Sequence, residues 1–338
     1  MRVKLLTTLM MLIFAGPVSA QNWSVPVAPG YAYGADIGWA TQQEAEGITF
    51  HSRSGKPTDL FVLLREHHID SVRLRVWVNP EKGWNGKEDT LAKAKRAQAL
   101  GQRIMIDFHY SDNWADPGKQ VKPAAWANYS PEQLSQAVYA HTFEILCYLK
   151  ANGINVAWVQ PGNEITNGLL WPEGKTDNFA NIAAFTNAGY DATKVVYPDA
   201  AAVIHIDNGW DTKKARWWFA GFSQAGGKMD IIGLSYYPAY TPSKDWLVES
   251  PKLSDTMIEL TGTYGKPVMV VEIGYRYDEP TAAREMLADV IRRNQALGAL
   301  GLGVFWWKPA THPKWNRYAL GAMNAKGQFT AAMDGFDH

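Results

Sequence analysis

Two glutamates set the chemistry open to this chain. Glu164 ends the run Val159-Gln-Pro-Gly-Asn-Glu, and Glu272 ends Val268-Met-Val-Val-Glu. Each closes a short apolar run of strand length with an abrupt carboxylate. In a barrel of parallel strands, reactive side chains meet at the C-terminal strand edge. Two carboxylates converging there could cleave a glycosidic bond: one protonates the leaving oxygen, and the other attacks the sugar or activates water. A lone glutamate is ordinarily a solvated surface group. The pairing, and the strand ends around it, are what make these two distinctive.

Such residues need a scaffold, and the apolar pattern supplies one. Strands are predicted at Tyr33–Ile37, Ser71–Trp77, Arg103–His109, Val156–Gly162, Ala201–Ile206, Asp230–Ser235, Pro267–Glu272 and Gly301–Trp306. They are near-continuous apolar runs, as expected for strands covered on both faces. Helix signals lie between them. Ser130-Pro-Glu-Gln133 combines an N-cap Ser, a Pro at the first helical position and a capping-box Gln, and Gly153 closes the segment. Asp89–Leu100 stops at Gly101, and Pro280–Leu297 at Gly298. Eight strand–helix units in a chain of this length predict a closed (β/α)8 barrel of the TIM type, as a single domain over residues 21–338. A doubly wound open sheet is the alternative, but no Gly-x-Gly-x-x-Gly or phosphate-binding loop follows the first strand.

Polar and aromatic residues gather after nearly every strand: Asp36 and Trp39, Arg73 and Arg75, Asp107 to Lys119, Asn163 and Glu164, His205 to Asn208, Ser235 to Tyr237, Glu272 and Tyr275, and Trp306 to Lys308. A catalytic metal is not expected, because His109, Asp107 and Asp112 lack a zinc-like spacing and no His-Glu-x-x-His occurs. Ser235 lacks the Gly-x-Ser-x-Gly elbow of serine hydrolases. Trp77 and Phe108 read as core, and Arg73 as a brace of the barrel rather than a ligand contact.

Residues 1–20 read as an export signal, with Arg2 and Lys4 before an apolar stretch and Val18-Ser19-Ala20 at the cleavage point. No segment approaches the roughly 20 apolar residues of a membrane span. The single cysteine, Cys147, rules out an internal disulfide and reads as a buried inert thiol. With 33 basic and 33 acidic residues the chain is formally neutral, which argues against nucleic acid or an anionic surface as partner. Fifteen tryptophans, several in polar loops (Trp84, Trp114, Trp171, Trp315), suit the C–H faces of sugar rings instead. The partner expected is a neutral polysaccharide. Oligomeric state is not legible.

The strand ends resemble those of family 53 glycoside hydrolases, the arabinogalactan endo-β-1,4-galactanases. The matching segments are Gly34-Ala-Asp-Ile37, Arg73-Leu-Arg-Val-Trp-Val-Asn-Pro80, Asp107 through Gln120, Gly162-Asn-Glu-Ile165 with Gly168-Leu-Leu-Trp-Pro172, Gly233-Leu-Ser-Tyr-Tyr-Pro238 and Glu272-x-Gly-Tyr275. The resemblance implies a retaining enzyme on β-1,4-galactan, the side chain of plant pectin, working without a cofactor. It implies Glu164 as acid/base and Glu272 as nucleophile. Asp116, Pro117, Gly118 and Lys119 match a substrate-contacting loop. Arg75, His109, Asn163, Tyr236 and Trp307 match positions that orient the nucleophile or line the cleavage subsite, and Asp36, Trp39 and Trp114 complete the expected substrate contacts. Ile273, Arg276 and Lys308 depart from the family pattern. The loop after Glu272 is short, so the calcium site of some bacterial relatives is not expected. A barrel glycosidase for mannan or xylan, or a non-catalytic galactan-binding barrel, are the competing readings.

Overall fold

A computed structural model describes residues 30–337, so the expected export signal lies outside the described residues. Eight parallel strands close into a barrel in sequence order, β1 pairing with both β2 and β8. They are β1 Ala32–Asp36, β2 Ser71–Val76, β3 Arg103–Phe108, β4 Trp158–Pro161, β5 Ala201–Ile206, β6 Ile231–Tyr236, β7 Val268–Ile273 and β8 Gly301–Trp307. Around them run α1 Ala40–Ala45, α2 Leu60–Glu66, α3 Lys87–Ala99, α4 Pro131–Ala151, α5 Phe179–Val196, α6 Thr212–Gln224, α7 Trp246–Tyr264, α8 Pro280–Gln295 and the short α9 Pro313–Asn316. This is the (β/α)8 barrel expected from the strand–helix alternation.

The local signals act as anticipated. Ser130 and Gln133 form a full capping box at the start of α4, with Pro131 at the first turn. Gly153, two residues past α4, takes a φ of +77°, a left-handed conformation that only glycine adopts without strain. The predicted fourth strand is trimmed to four residues, since the next positions must turn sharply to present Asn163 and Glu164.

Along each strand, alternate residues point into the barrel or out towards the helices. A separate interior cluster of Ala32, Met105, Trp158, Ala201, Val203, Ile231, Met269, Val271 and Phe305 plugs the lower barrel. Gly34 is required there: a Cβ would fall 2.1 Å from the Phe305 ring. Above this plug the inward positions turn polar, with Asp36, Arg73, Asp107, Gln160, His205 and Ser235 all buried. The barrel is an apolar plug carrying a polar floor, and the site is built on that floor.

β7 breaks its own alternation. Its pairing runs Leu234 to Val270 and then Ser235 to Glu272, leaving Val271 unmatched, and the β8 side shifts likewise between Val270 and Ile273. This extra residue is a β-bulge, a device that re-aims a side chain. Met269 and Val271 face inward; without the bulge Glu272 would face the helices, and with it Glu272 faces the barrel axis.

Candidate active site

A cleft of about 670 Å³ opens over the C-terminal strand ends, and both Glu164 and Glu272 line it. A larger concavity of about 910 Å³ lies on the outer wall, against α3 and α4, but holds no pair of facing strand-end carboxylates. The chemistry belongs to the smaller cleft.

Arg73 organises the floor. Its Nη1 donates to Glu272 Oε1 at 2.9 Å and to Asp36 Oδ2 at 2.9 Å. Its Nη2 donates to Asn163 Oδ1 at 2.7 Å and lies 3.0 Å from Asp107 Oδ2, while Nε reaches Gln160 Oε1. Fully buried, this guanidinium ties β1, β3, β4 and β7 together through the fork geometry that arginine alone offers. The brace expected at Arg73 is therefore present, and it also holds Glu272 directly. The other Glu272 oxygen, Oε2, accepts from the Tyr237 hydroxyl at 2.7 Å.

Glu164 occupies a left-handed backbone conformation, φ +46° and ψ +53°, which costs a non-glycine residue on the order of 1 kcal/mol or more. Its amide donates to His205 Nδ1 at 3.3 Å, and its Oε1 accepts from the Ser235 hydroxyl at 2.6 Å. His205 Nδ1 also accepts from Gln160 Nε2 at 3.1 Å, so its proton sits on Nε2 and donates to Ser235 Oγ at 2.8 Å. Burial, with Arg73 and His109 nearby, keeps this imidazole well below its usual range and hence neutral. A directed chain results: His205 to Ser235 to Glu164.

The two carboxyls differ in the company they keep. Burial raises Glu272, and Arg73 and the Tyr237 hydrogen bond oppose it, leaving its pKa near 7. Burial and the neighbouring Glu272 charge push Glu164 well above the usual carboxylate range, with Ser235 opposing. Glu272, gripped by a cation, is the member that ionises first; Glu164 keeps the shared proton.

Of the other expected residues, Trp39, Trp114, Asp116, Pro117, Asn163 and Trp307 line the cleft. Asn163 Nδ2 donates to Ala115 O at 2.8 Å, and Gln120 fixes the Asn163 carbonyl at 2.8 Å. Gly118 and Lys119 complete the turn begun by Asp116 but face solvent, with Lys119 Nζ on Asn113 Oδ1 at 2.8 Å. Asp36, Arg75 and His109 do not reach the cleft surface. Asp36 is clamped between Arg73 and Lys308 Nζ, the latter at 2.6 Å. His109 joins Asp107 at 3.0 Å and accepts the Ala115 amide at 3.1 Å. Arg75 lies beneath Trp114, 4.0 Å from the ring centroid.

Tyr236 is a correction. It is fully buried, and its hydroxyl meets Ser250 of α7 at 3.0 Å, on the helix side of the barrel. Strand parity explains this: with Ser235 inward, Tyr236 must point outward, and Tyr237 returns to the cleft. Trp77 is a second correction, being half-buried and open to a groove rather than in the core. Cys147 is half-buried rather than enclosed.

His205, Ser235 and Tyr237 were legible at the strand ends but without a role, and Gln160 was not singled out, although parity within β4 marks it as inward. Asp207, Tyr240 and Tyr318 also line the cleft. Asp207 Oδ1 and Tyr318 Oη are buried and have no hydrogen-bond partner among the described residues. Lys308, one of the departures, sits at 4.8 Å from the Trp39 ring and 5.3 Å from that of Trp307, locking both over its ammonium. Among the described residues, no group of three or more His, Cys, Asp or Glu side chains could hold a metal ion. No helix among them is long and apolar enough to cross a membrane.

Residues 32–335 match the model of the family described as Glycosyl hydrolase family 53. A protein of Aspergillus fumigatus named "Probable arabinogalactan endo-beta-1,4-galactanase A" is 35% identical over 300 residues, 82% of this chain and 83% of its own length. A protein of Thermothelomyces thermophilus named "Arabinogalactan endo-beta-1,4-galactanase" is 32% identical over 299 residues, 82% of this chain and 89% of its own. A solved structure described as one of two fungal beta-1,4-galactanases superposes with a TM-score of 0.85 at 30% identity, covering 91% of this chain and all (100%) of its own.

Proposed function

The chain belongs to glycosyl hydrolase family 53 and is a glycoside hydrolase, and on that premise we propose that it cleaves internal β-1,4-galactosidic bonds in galactan side chains of pectin with retention of configuration. The observation that carries this reading is the unequal pair of carboxyls in one cleft: Glu272 on Arg73 and Tyr237, and Glu164 on Ser235.

In the free enzyme the shared proton rests on Glu164, and Glu272 is the anion. Glu272 attacks the anomeric carbon while Glu164 protonates the departing glycosidic oxygen, giving a covalent glycosyl-enzyme. Esterification erases the Glu272 charge, so the force raising the Glu164 pKa falls away just as Glu164 becomes a carboxylate. That carboxylate then takes a proton from the water that attacks the same carbon, and Glu272 leaves. Asn163, fixed by Arg73 and Ala115, stands beside both carboxyls to contact a sugar hydroxyl. Trp307, Trp39 and Trp114 supply the aromatic walls. This mechanism needs carboxyl groups about 5–5.5 Å apart, against roughly 6.5–9.5 Å for inversion.

Reducing-sugar release from galactan, arabinogalactan, mannan and xylan tests the substrate, with galactan expected to dominate. Preferred cleavage of mannan or xylan would replace the substrate; no cleavage of any would leave a binding protein. Proton NMR of the new reducing end tests the stereochemistry: a β anomer should form first, and an initial α anomer would mean inversion. Residues 1–20 support export of a chain beginning near Gln21, which N-terminal sequencing of the released protein checks.

A further inference from the structure

Asp112 joins two segments that the cleft does not use. Its Oδ1 accepts from the Asn79 amide at 3.0 Å and its Oδ2 from the Ala124 amide at 2.9 Å. The loop after β2 is thereby fixed against the 3-10 turn Ala124–Trp126, which Lys122 Nζ also braces by donating to Ala127 O at 2.9 Å. Between that loop, the turn and the flank of α4 lies the concavity of about 910 Å³ on the outer wall. It shares no lining residue with the catalytic cleft.

Its floor is aromatic. Trp126 is nearly buried and meets the His141 ring edge to face at 6.2 Å, and His141 packs on Phe108 at 5.7 Å. One face of α4 supplies a wall, from Gln133 through Ala137, Ala140 and His141 to Glu144. The two alanines on that face leave the space open.

Hydrogen-bonding capacity goes unused here. His141 Nε2 is enclosed without a partner, and burial lowers the pKa of the ring to about 4, so it is neutral. The Tyr129 hydroxyl and the Gln136 amide, both lining the concavity, make no hydrogen bond among the described residues either. An enclosed nitrogen left unpaired beside an open, braced concavity points to a ligand.

Charge narrows the class of that ligand. Lys87 is matched by Glu144 at 2.9 Å, and Glu88 adds a further carboxylate to the lining. With His141 neutral, the lining offers no unmatched cation to hold a carboxylate or a phosphate. Aromatic rings beside neutral amides and a phenol fit a neutral sugar chain, apolar on its C–H faces and hydroxylated at its edges.

We propose that this concavity is a second binding site for the neutral β-glycan, separate from the cleft, with Trp126 and Tyr129 as its aromatic contacts and Gln136 and the His141 edge as its polar ones. The proposal rests on the reading of the substrate as galactan. A polymer held on the outer wall raises the effective concentration of its other segments at the cleft, a gain that short chains cannot use.

The test uses the full chain. Tyr129→Ala with Gln136→Ala alters two exposed side chains, so the melting temperature should stay that of wild type. Its kcat/KM on polymeric galactan should fall about tenfold, the worth of about 1.4 kcal/mol. Turnover of galactohexaose and the positions of its cuts should not change, because the cleft is untouched. Ala140→Trp, which fills the concavity and removes no contact, should give the same pattern. In a Glu272→Ala background, galactan cast into a native gel should retard the protein, and both sets of changes should weaken that retardation. No loss on the polymer, an equal loss on hexaose and polymer, or moved cuts in the hexaose would overturn the separate site. Retardation by polygalacturonate in place of galactan would overturn the neutral ligand. If wild-type protein prefers mannan or xylan, the galactan reading fails by itself, and the same variants on that polymer decide the concavity.

Discussion

Ser235 stands opposite Glu272 in the β6–β7 register, and its hydroxyl donates to Glu164 at 2.6 Å. A single residue thus pairs with the Glu272 backbone and holds the Glu164 carboxyl through its side chain. The bulge at Val271 makes this possible by turning Glu272 to the same side as Ser235. Any shift of β6 relative to β7 would disturb the spacing of the pair, so the bulge and the Ser235–Glu164 bond hold one geometry between them.

Azide should distinguish the two glutamates. In Glu272→Ala no glycosyl-enzyme forms, and azide entering the vacated space should give a galactosyl azide of inverted configuration. In Glu164→Ala a substrate with a good leaving group should still load Glu272, and azide should then give the retained product. Identical anomers from both variants, or a loss in kcat on galactan under about tenfold for either, would show that these are not the catalytic pair, since acid–base help is worth about 10²–10⁴.

Tyr237→Phe and Tyr236→Phe should behave in opposite ways. Glu272 must be ionised to attack, and its pKa is raised to about 7, so wild-type kcat/KM should fall as pH drops through that region. Removing the Tyr237 donor destabilises the anion, so this acid limb should move to higher pH with a lower plateau. Tyr236→Phe removes only the bond to Ser250 and should cost about 1 kcal/mol of stability with no change in the pH profile. A moved limb in the Tyr236 variant would contradict the strand parity described above.

Glu164→Gln should stabilise the fold, and only at higher pH. A carboxyl whose folded pKa is raised contributes fully below its unfolded value, about 4.3, and loses that contribution as pH rises through the folded value. The amide has no such penalty. Melting temperatures of variant and wild type should therefore agree near pH 4 and diverge by a few degrees at pH 8, at roughly 2–4 °C per kcal/mol for a large domain. A constant difference across pH would refute the raised pKa.

Lys308→Met leaves Asp36 with one cation fewer in a fully buried position. Breaking one side of a buried pair costs about 3–5 kcal/mol, whereas removing both partners can be nearly neutral. Lys308→Met should thus lower the melting temperature strongly, and Lys308→Met with Asp36→Asn should recover much of the loss. Additive losses in the double variant would mean that the two side chains act independently.

Much of this was legible in the chain. Near-continuous apolar strands, capped helices and glycine stops led to the barrel, because each is a local preference that tertiary packing had no cause to override. The strand-end motif pointed to Glu164 and Glu272 for the same reason: a parallel barrel delivers its C-terminal edges to one place. The misplacement of Tyr236 came from treating Ser235-Tyr-Tyr237 as a motif rather than applying the two-residue strand period to it. Asp36, expected among the substrate contacts, and Arg75 and His109, expected to orient the nucleophile or line the subsite, lie buried beneath the cleft, since linear order does not reveal depth along the barrel axis.

The sequence by itself determined the architecture, the two carboxylates and the aromatic richness of the strand ends, all of which follow from residue type and short-range period. Only the tertiary structure decided which carboxyl holds the proton, because that depends on Arg73 reaching across the barrel from β2 to β7 and on Ser235 reaching back from β6 to Glu164. It also decided which way Glu272 points. Plain alternation from Met269 and Val271 would send Glu272 outward, and the bulge that reverses it appears only when β7 is registered against both of its neighbours. A period of two is a local property of a strand, whereas an extra residue in it is defined only by the strands alongside.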